Sequence, residues 1–87
     1  MTIDEFKKDI APHMNKGYVA MDKDTNWFYY SVKPKTDLIL ESWDSDGHCS
    51  NLVAFNIEPV ENWTQSLIEV GKWLNIQMKG NETNEWH

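Results

Sequence analysis

Four short runs of β-branched and aromatic residues, separated by polar turns, constrain the fold of this chain more than any other feature. The runs occupy residues 18–21, 27–32, 37–43 and 52–57. Each has the composition of a β-strand and is bounded by turn-forming residues. Because connections this short favour hairpins over crossovers, the sequence predicts a four-stranded antiparallel meander.

An N-terminal helix is predicted ahead of the first strand. Thr2 and Glu5 have the spacing of a capping box, in which side chain and backbone bond reciprocally at a helix start. Pro12 is expected to end or kink this helix near Ile10 or Ala11. Apolar residues recur at helical spacing through the segment, namely Ile3, Phe6, Ile10 and Met14.

A second helix is predicted after the last strand. Asn62 and Gln65 form a capping pair there, and Gly71 either ends a short helix or lies inside a longer one. The stripe of this helix consists of Trp63, Leu67, Val70 and Leu74. Leu74, Ile76 and Met78 alternate, however, which also fits a fifth strand. The predicted order is α-β-β-β-β-α, one α+β domain over residues 1–79 with a flexible polar tail at 80–87.

Alternation along the predicted strands divides their side chains between two faces of the sheet. Residues 27–32 carry rings on both faces, so this run is either a central strand covered on both sides or an interaction surface. The predicted inner face consists of Val19, Met21, Phe28, Tyr30, Leu38, Leu40, Val53, Phe55 and Ile57. Trp27, Tyr29, Ile39 and Trp43 are then predicted to point the other way.

The net charge of −6, from 14 acidic residues and 8 basic residues that are all lysines, restricts the kind of partner. Arginine is the side chain that most often binds phosphate and guanine through paired hydrogen bonds. The composition therefore argues against direct binding of nucleic acid. An acidic surface suits either plain solubility or a basic partner, such as a nucleic-acid-binding protein.

The single cysteine, Cys49, cannot form an internal disulfide, which indicates a reducing compartment. No apolar run approaches the ~18 residues that a membrane span requires. The order of charged and apolar residues at the N-terminus is not that of a signal peptide. We therefore expect a cytoplasmic protein that has no contact with membranes.

Residues 44–51, DSDGHCSN, hold the densest group of reactive side chains. An EF-hand loop counted from Asp44 would need Gly and Glu where Cys49 and Phe55 stand. A zinc site on His48 and Cys49 would need two more soft ligands at usable spacing. Carboxylates near Cys49 would raise the pKa of its thiol, which disfavours a thiol nucleophile.

The simplest interpretation of this segment is a turn, because Asp-Gly is the favoured pair of a type I′ hairpin turn. The sequence contains no nucleophile–base pair, phosphate loop or metal cluster that meets these spacing tests. We therefore predict no catalytic residue, no metal ligand and no cofactor, and a protein that is not an enzyme.

Alternate turns of a meander lie at the same end of the sheet, so the turns after the first and third predicted strands share one edge. They carry an acidic rim beside aromatic side chains that are predicted to be exposed. We predict that this surface binds a basic protein, with Asp22, Asp24, Asp44 and Asp46 as the charged contacts and Trp27, Tyr29 and Trp43 as the apolar anchors.

An alternative belongs to a different functional class, a sponge that sequesters a nucleotide signal, as a homo-oligomer. A ring of the sheet would stack on the base. The residues for this role are Tyr29, Lys33 and Lys35, with Lys16 as a further candidate beside the phosphate.

Three segments resemble a family of small proteins of unassigned function that phages and prophages encode. They are MTIDEFKKDIAPHM, GYVAMDKDTNWFYYSVKP and FNIEPVENWTQSLIEVGKW, and the resemblance runs over residues 2–73. No catalytic motif comes with it. The resemblance implies a setting in which short acidic proteins often inhibit host defence, as anti-CRISPR proteins do. The implied partner is a nucleic-acid-binding defence protein of the bacterial host, blocked by steric or DNA-mimicking occlusion.

Overall fold

Residues 1–71 are described by a computed structural model, which shows an α+β arrangement. The α-helix and strands over these residues are α1 (Ile3–Asp9), β1 (Gly17–Met21), β2 (Trp27–Tyr30), β3 (Lys35–Asp37), β4 (Ser42–Asp44), β5 (Cys49–Asn51) and β6 (Ile68–Val70). Single 3-10 turns occupy Ala11–His13, Val53–Phe55 and Trp63–Gln65.

The sheet is antiparallel and four-stranded, as predicted, but its strand order differs from a meander. The order is β5-β2-β1-β6, and β3 and β4 form a separate two-stranded hairpin. Sequential pairing holds only for the β1–β2 and β3–β4 hairpins. The predicted meander is wrong because the chain inserts the β3–β4 hairpin before β5 returns to the free edge of β2.

The N-terminal helix is confirmed. The backbone N–H of Glu5 donates to Thr2 Oγ1 at 3.1 Å, and the N–H of Thr2 donates to Glu5 Oε1 at 2.8 Å. These bonds from Thr2 lower the pKa of the Glu5 carboxyl. The helix ends at Asp9, and Pro12 lies within the 3-10 turn that follows.

The third predicted strand, residues 37–43, is a hairpin instead. Asp37 Oδ1 accepts hydrogen bonds at 3.0 Å from the N–H groups of Ile39 and Leu40, which closes a turn after β3. Glu41 has a φ of 57°, in the left-handed region. An Asp side chain that bonds the following backbone competes with strand geometry, so the apolar run 38–40 forms the turn between two strands.

The fourth predicted strand, residues 52–57, is displaced towards the N-terminus. The strand is β5, and the chain turns directly after it because Asn51 Oδ1 accepts from the N–H of Val53 at 2.6 Å. A 3-10 turn follows over Val53–Phe55, and Asn56 has a φ of 50°. Leu52 and Ile57 remain buried, whereas Val53 is exposed.

The predicted second helix is wrong over the described residues. Asn62 does cap a turn, since its Oδ1 accepts from the N–H of Thr64 at 3.1 Å. That turn lasts only from Trp63 to Gln65, and β6 follows. The predicted fifth strand, the domain boundary at residue 79 and the tail at 80–87 lie outside the described residues.

Gly71 follows β6 and is required by both backbone conformation and space. Its φ is 74°, a region that side chains other than glycine rarely adopt. A Cβ on Gly71 would lie 2.8 Å from the backbone of Lys16. Its N–H donates to the carbonyl of Ala11 at 2.9 Å, which ties the end of β6 to the segment after α1.

The register between β1 and β2 decides which side chains enter the core. Met21 pairs with Trp27 and Val19 pairs with Tyr29, so these four side chains share the face that packs with Phe6 of α1. The core of this face consists of Phe6, Ala11, Val19, Met21, Trp27, Leu52, Ile57 and Val70.

The predicted inner face is therefore wrong in several members. Phe28 and Tyr30 pair with Ala20 and Tyr18 and lie on the opposite face of the sheet. Leu38, Leu40, Val53 and Phe55 are exposed.

Ser66 extends the pairing with β1 ahead of the first residue of β6. Continuing the register in which Val19 pairs with Ile68 places Ser66 opposite Met21. Its buried hydroxyl accepts from the Met21 N–H at 2.8 Å and lies 2.6 Å from the Trp63 carbonyl oxygen. The Ser66 side chain thus provides the hydrogen-bond acceptor for the buried Met21 N–H, which has no acceptor on a neighbouring strand.

We expect Ser66→Ala to lower the free energy of unfolding by about 1–3 kcal/mol, because the Met21 N–H would stay buried without an acceptor. Urea unfolding of the purified protein measures this change. Gln65→Ala, at the exposed neighbouring position, serves as the control and is expected to change stability by less than about 0.5 kcal/mol. Equal effects of the two substitutions would contradict the role of Ser66.

Candidate functional site

Three consecutive aliphatic side chains project from the turn of the β3–β4 hairpin. Leu38, Ile39 and Leu40 are 71%, 92% and 73% exposed, and we call them the aliphatic tip. Isolated exposed apolar side chains are common, but a contiguous group indicates a contact surface. The sequence interpretation missed this group because it assigned Leu38 and Leu40 to a strand. The Asp before the apolar run was the signal for a turn.

The aliphatic tip is held in one conformation by its flanking residues. Asp37 bonds the backbone of the tip, and the carbonyl of Glu41 accepts from the N–H of Lys23 at 3.2 Å. The side chains of Lys23 and Glu41 also form an ion pair. The exposed side chains therefore sit on a turn that is fixed from both ends and linked to the β1–β2 turn.

Trp43 joins the β3–β4 hairpin to the main sheet. Its backbone N–H donates to Asp22 Oδ1 at 2.9 Å. Its indole Nε1–H lies 3.0 Å from the Met21 carbonyl oxygen and 3.2 Å from that of Trp63. The Trp43 and Trp63 rings meet edge to face at 6.4 Å between centroids. Trp43, which the sequence assigned to partner contact, thus has a structural role within this chain.

Trp27 and Tyr29, the other two predicted aromatic anchors, lie on the core face. Trp27 is 4% exposed, so the expectation that it is exposed is wrong. Tyr29 is partly buried, and its hydroxyl donates to the Lys16 carbonyl at 3.0 Å. A Cβ on Gly17 would come within 2.6 Å of the Tyr29 ring, so the ring lies directly on the glycine.

The four predicted acidic residues are not equivalent. Asp22 and Asp44 line the same cleft, and Asp24 lines a neighbouring one together with Asp22 and Leu40 of the aliphatic tip. Asp24 Oδ1 accepts from the N–H of Asn26 at 3.1 Å, which stabilises the β1–β2 turn. Asp46 is exposed and lines neither cleft. Asp22 and Asp44 thus lie close together, although the meander from which a shared edge was predicted is wrong and Asp44 belongs to β4.

The cleft that contains Asp22 and Asp44 lies between β2 and the β3–β4 hairpin and has a volume of about 170 Å³. We call it the Tyr30 cleft, after the buried phenol in its wall. It is lined by Asp22, Phe28, Tyr30, Trp43, Asp44, Ser45 and Cys49.

The electrostatic character of the Tyr30 cleft is negative. Burial, followed by the charges of Asp22, Cys49 and Asp44, raises the pKa of Tyr30 far above its ordinary value. Burial also raises the pKa of Asp22, and the charge of Asp24 adds to that increase, although the bond from Trp43 opposes it. Each of these groups disfavours further negative charge in the cleft.

The DSDGHCSN segment is a turn, but not the predicted type I′ hairpin turn, because β4 and β5 belong to different sheets. Gly47 is needed for close approach, since a Cβ there would lie 2.6 Å from Ser31 Oγ. His48 N–H donates to Ser31 Oγ at 2.8 Å. The turn is therefore held against the chain that leaves β2.

Cys49 is exposed, but its surroundings disfavour the thiolate form. Burial, with a contribution from Asp22, raises its pKa, whereas a nucleophilic cysteine needs a lowered one. The neighbouring His48 Nε2 lies 2.9 Å from Ser50 Oγ. Within residues 1–71, no three His, Cys, Asp or Glu side chains are grouped so that they could hold a metal ion.

The residues of the alternative nucleotide site are not brought together around a cleft. Lys33 and Lys35 are exposed on the chain that enters the β3–β4 hairpin, and neither lines the Tyr30 cleft. Tyr29 faces the core on the other side of β2. No specific geometric feature favours this alternative over protein binding.

Comparisons with known proteins found no matching family model, no matching curated protein and no matching solved structure. None of the helices in the described part of the chain is long and apolar enough to cross a membrane.

We expect Asp22→Asn to change how stability depends on pH. The folded pKa of Asp22 lies above its ordinary value of 3.8. Asp22 therefore stabilises the folded protein fully at pH values below the pKa that it has in the unfolded chain. This stabilisation is lost as the pH rises through the pKa of Asp22 in the folded protein. Asparagine keeps the acceptor for Trp43 but does not titrate. The stability of Asp22→Asn relative to the unsubstituted protein should increase from about pH 3 to about pH 7.

Urea unfolding at several pH values measures this difference. Asp46→Asn is the matched control, since Asp46 is exposed on the turn after β4. A stability difference for Asp22→Asn that stays constant across the pH range, or that decreases with rising pH, would contradict the assignment.

Proposed function

We propose that this protein acts by binding another protein through the aliphatic tip and the carboxylates beside it. The observation that carries the proposal is the exposure of Leu38, Ile39 and Leu40 on a turn fixed by Asp37 and Glu41. Covering three adjacent aliphatic side chains with a partner lowers the free energy, because their apolar surface is removed from water. A preorganised turn loses little conformational entropy on binding, so more of that gain appears as affinity.

The charges around the aliphatic tip favour a basic protein as the partner. Asp24 and Leu40 line a common cleft, and Asp44 lies on β4 of the same hairpin. A membrane surface is a poorer match, because anionic headgroups would repel a protein of net charge −6. A second copy of the chain would meet the same repulsion.

Within this class, a nucleic-acid-binding defence protein of a bacterial host is the partner we favour. Such proteins present lysines and arginines where nucleic acid binds. The resemblance of three segments to small phage-encoded proteins supports this setting, in the host cytoplasm. The protein would act without catalysis, as anti-CRISPR proteins do, by occupying the partner's basic surface.

This proposal changes the apolar anchors that the sequence suggested. The aliphatic tip replaces Trp27, Tyr29 and Trp43, whose rings are buried or bonded within the chain. Asp24, Asp44 and Asp46 remain available as charged contacts, since all three are exposed.

We expect the triple substitution Leu38→Ser, Ile39→Ser and Leu40→Ser to abolish partner capture from bacterial lysate. The free energy of unfolding should change by no more than about 0.5 kcal/mol per substitution, because the three side chains are exposed. Capture is measured by affinity pull-down and quantitative mass spectrometry, and stability by urea unfolding.

Val53→Ser is the control, since Val53 is an exposed aliphatic residue outside the hairpin. It should leave capture unchanged. If the triple variant and the control retain the same partners in the same amounts, the aliphatic tip is not the contact surface and the proposal fails.

The carboxylates should govern the rate of association. We expect Asp24→Asn, Asp44→Asn and Asp46→Asn, combined, to lower the association rate at least several-fold at low salt and to weaken its salt dependence. Asparagine at position 24 keeps the acceptor for Asn26. The control combines Asp4→Asn, Asp9→Asn and Glu58→Gln, exposed residues whose neutralisation gives the same net charge.

Surface plasmon resonance with the captured partner, over a range of salt concentrations, measures the association rate and its salt dependence. An equal reduction in the control variant would show that net charge alone acts, which would exclude a localised acidic contact.

A further inference from the structure

The Tyr30 cleft contains the two kinds of group that bind an alkylammonium ion. Its walls include the rings of Phe28, Tyr30 and Trp43, and its charged groups are Asp22 and Asp44. Aromatic faces attract cations and also cover the methylene groups that precede them. Carboxylates supply the opposite charge and accept hydrogen bonds from the ammonium group.

Tyr30 adds an independent polar group to this cleft. The residue is 3% exposed, and its hydroxyl forms no hydrogen bond with the described residues. Tyr30 lines the same cleft as the carboxylates of Asp22 and Asp44. The side chain is buried, but its hydroxyl keeps access to the cleft, where a ligand can pair with it.

The acceptors of the carboxylates are also available. Asp22 Oδ1 accepts from Trp43, and its other oxygen receives no hydrogen bond in the described part of the chain. Lys35 lies opposite Asp44 in the hairpin register, but no ion pair joins them within 4.0 Å over residues 1–71. Four oxygen atoms therefore remain as acceptors, one from Asp22, two from Asp44 and one from Tyr30.

We propose that the Tyr30 cleft binds a lysine side chain of the partner protein. These four acceptors can pair all three donors of an ammonium group, whereas a guanidinium carries five donors in a rigid plane. The volume of about 170 Å³ holds a side chain but lies below the ~300 Å³ at which small-molecule pockets begin. This inference rests on the proposed protein-binding function and identifies the chemistry of one contact.

The test uses the full chain labelled with ¹⁵N and the probe Nα-acetyl-lysine-N-methylamide, followed by NMR. The probe is expected to cause saturable shifts in the Trp43 indole N–H and Cys49 amide signals, with a Kd on the order of 1–10 mM. The matched probe Nα-acetyl-norleucine-N-methylamide has no charge. It should cause no saturable shift of these signals.

Three variants locate the site. Asp44→Asn removes one charge, and Tyr30→Phe removes the hydroxyl but keeps the ring. Each should weaken lysine binding about three- to five-fold. Asp9→Asn is the control, because Asp9 is exposed on α1 and does not line the cleft, and it should leave the affinity within about two-fold.

The inference is overturned if the lysine probe causes no saturable shift, if the norleucine probe binds equally well, or if Asp9→Asn weakens binding as much as Asp44→Asn. The titration needs no partner, so its failure is distinct from that of the proposed function. Capture that depends on the aliphatic tip would survive a negative titration. If partner capture does not depend on the aliphatic tip, the protein-binding proposal fails, whatever the titration shows.

Discussion

The pairing of β1 with β2 is the constraint on which the remaining structure depends. A five-residue turn connects the two strands, and the N–H of Asp22 donates to the carbonyl of Asn26 at 3.0 Å to close it. Thr25 takes a left-handed φ of 75° within this turn. The closure sets Met21 opposite Trp27. A shift of one residue would move every side chain of β2 to the other face, so this turn decides what becomes core and what becomes surface.

The second face of the sheet would be open without the β3–β4 hairpin. Ala20 and Tyr30 lie on that face and are buried. Trp43 holds the hairpin in place through bonds to the Asp22 carboxylate and to the Met21 carbonyl. The same arrangement that completes the packing also creates the two candidate contacts, since it projects the aliphatic tip into solvent and leaves the Tyr30 cleft at its base.

The aliphatic tip and the Tyr30 cleft would contribute differently to recognition. Burial of aliphatic surface supplies affinity, because it scales with the apolar area removed from water. Carboxylates on the turns accelerate association with a basic surface and disfavour acidic ones. A cleft that accepts one lysine adds a positional requirement, since the cation must lie at a fixed place relative to the apolar contact. Together the two features would select a particular basic protein from the many that carry positive charge.

Features that depend on neighbouring residues could be predicted from the sequence. The capping box of Thr2 and Glu5, strands β1 and β2 and the excess of acidic residues all follow from local spacing and composition. The tertiary structure decided the strand register, the burial of Trp27, the contribution of Tyr30 to the cleft and the exposure of residues 38–40. These depend on hydrogen bonds between distant segments, such as those of Trp43 with Asp22 and Met21. An apolar run has the same pattern whether it enters a core or a turn, and only the contacts formed on folding distinguish the two.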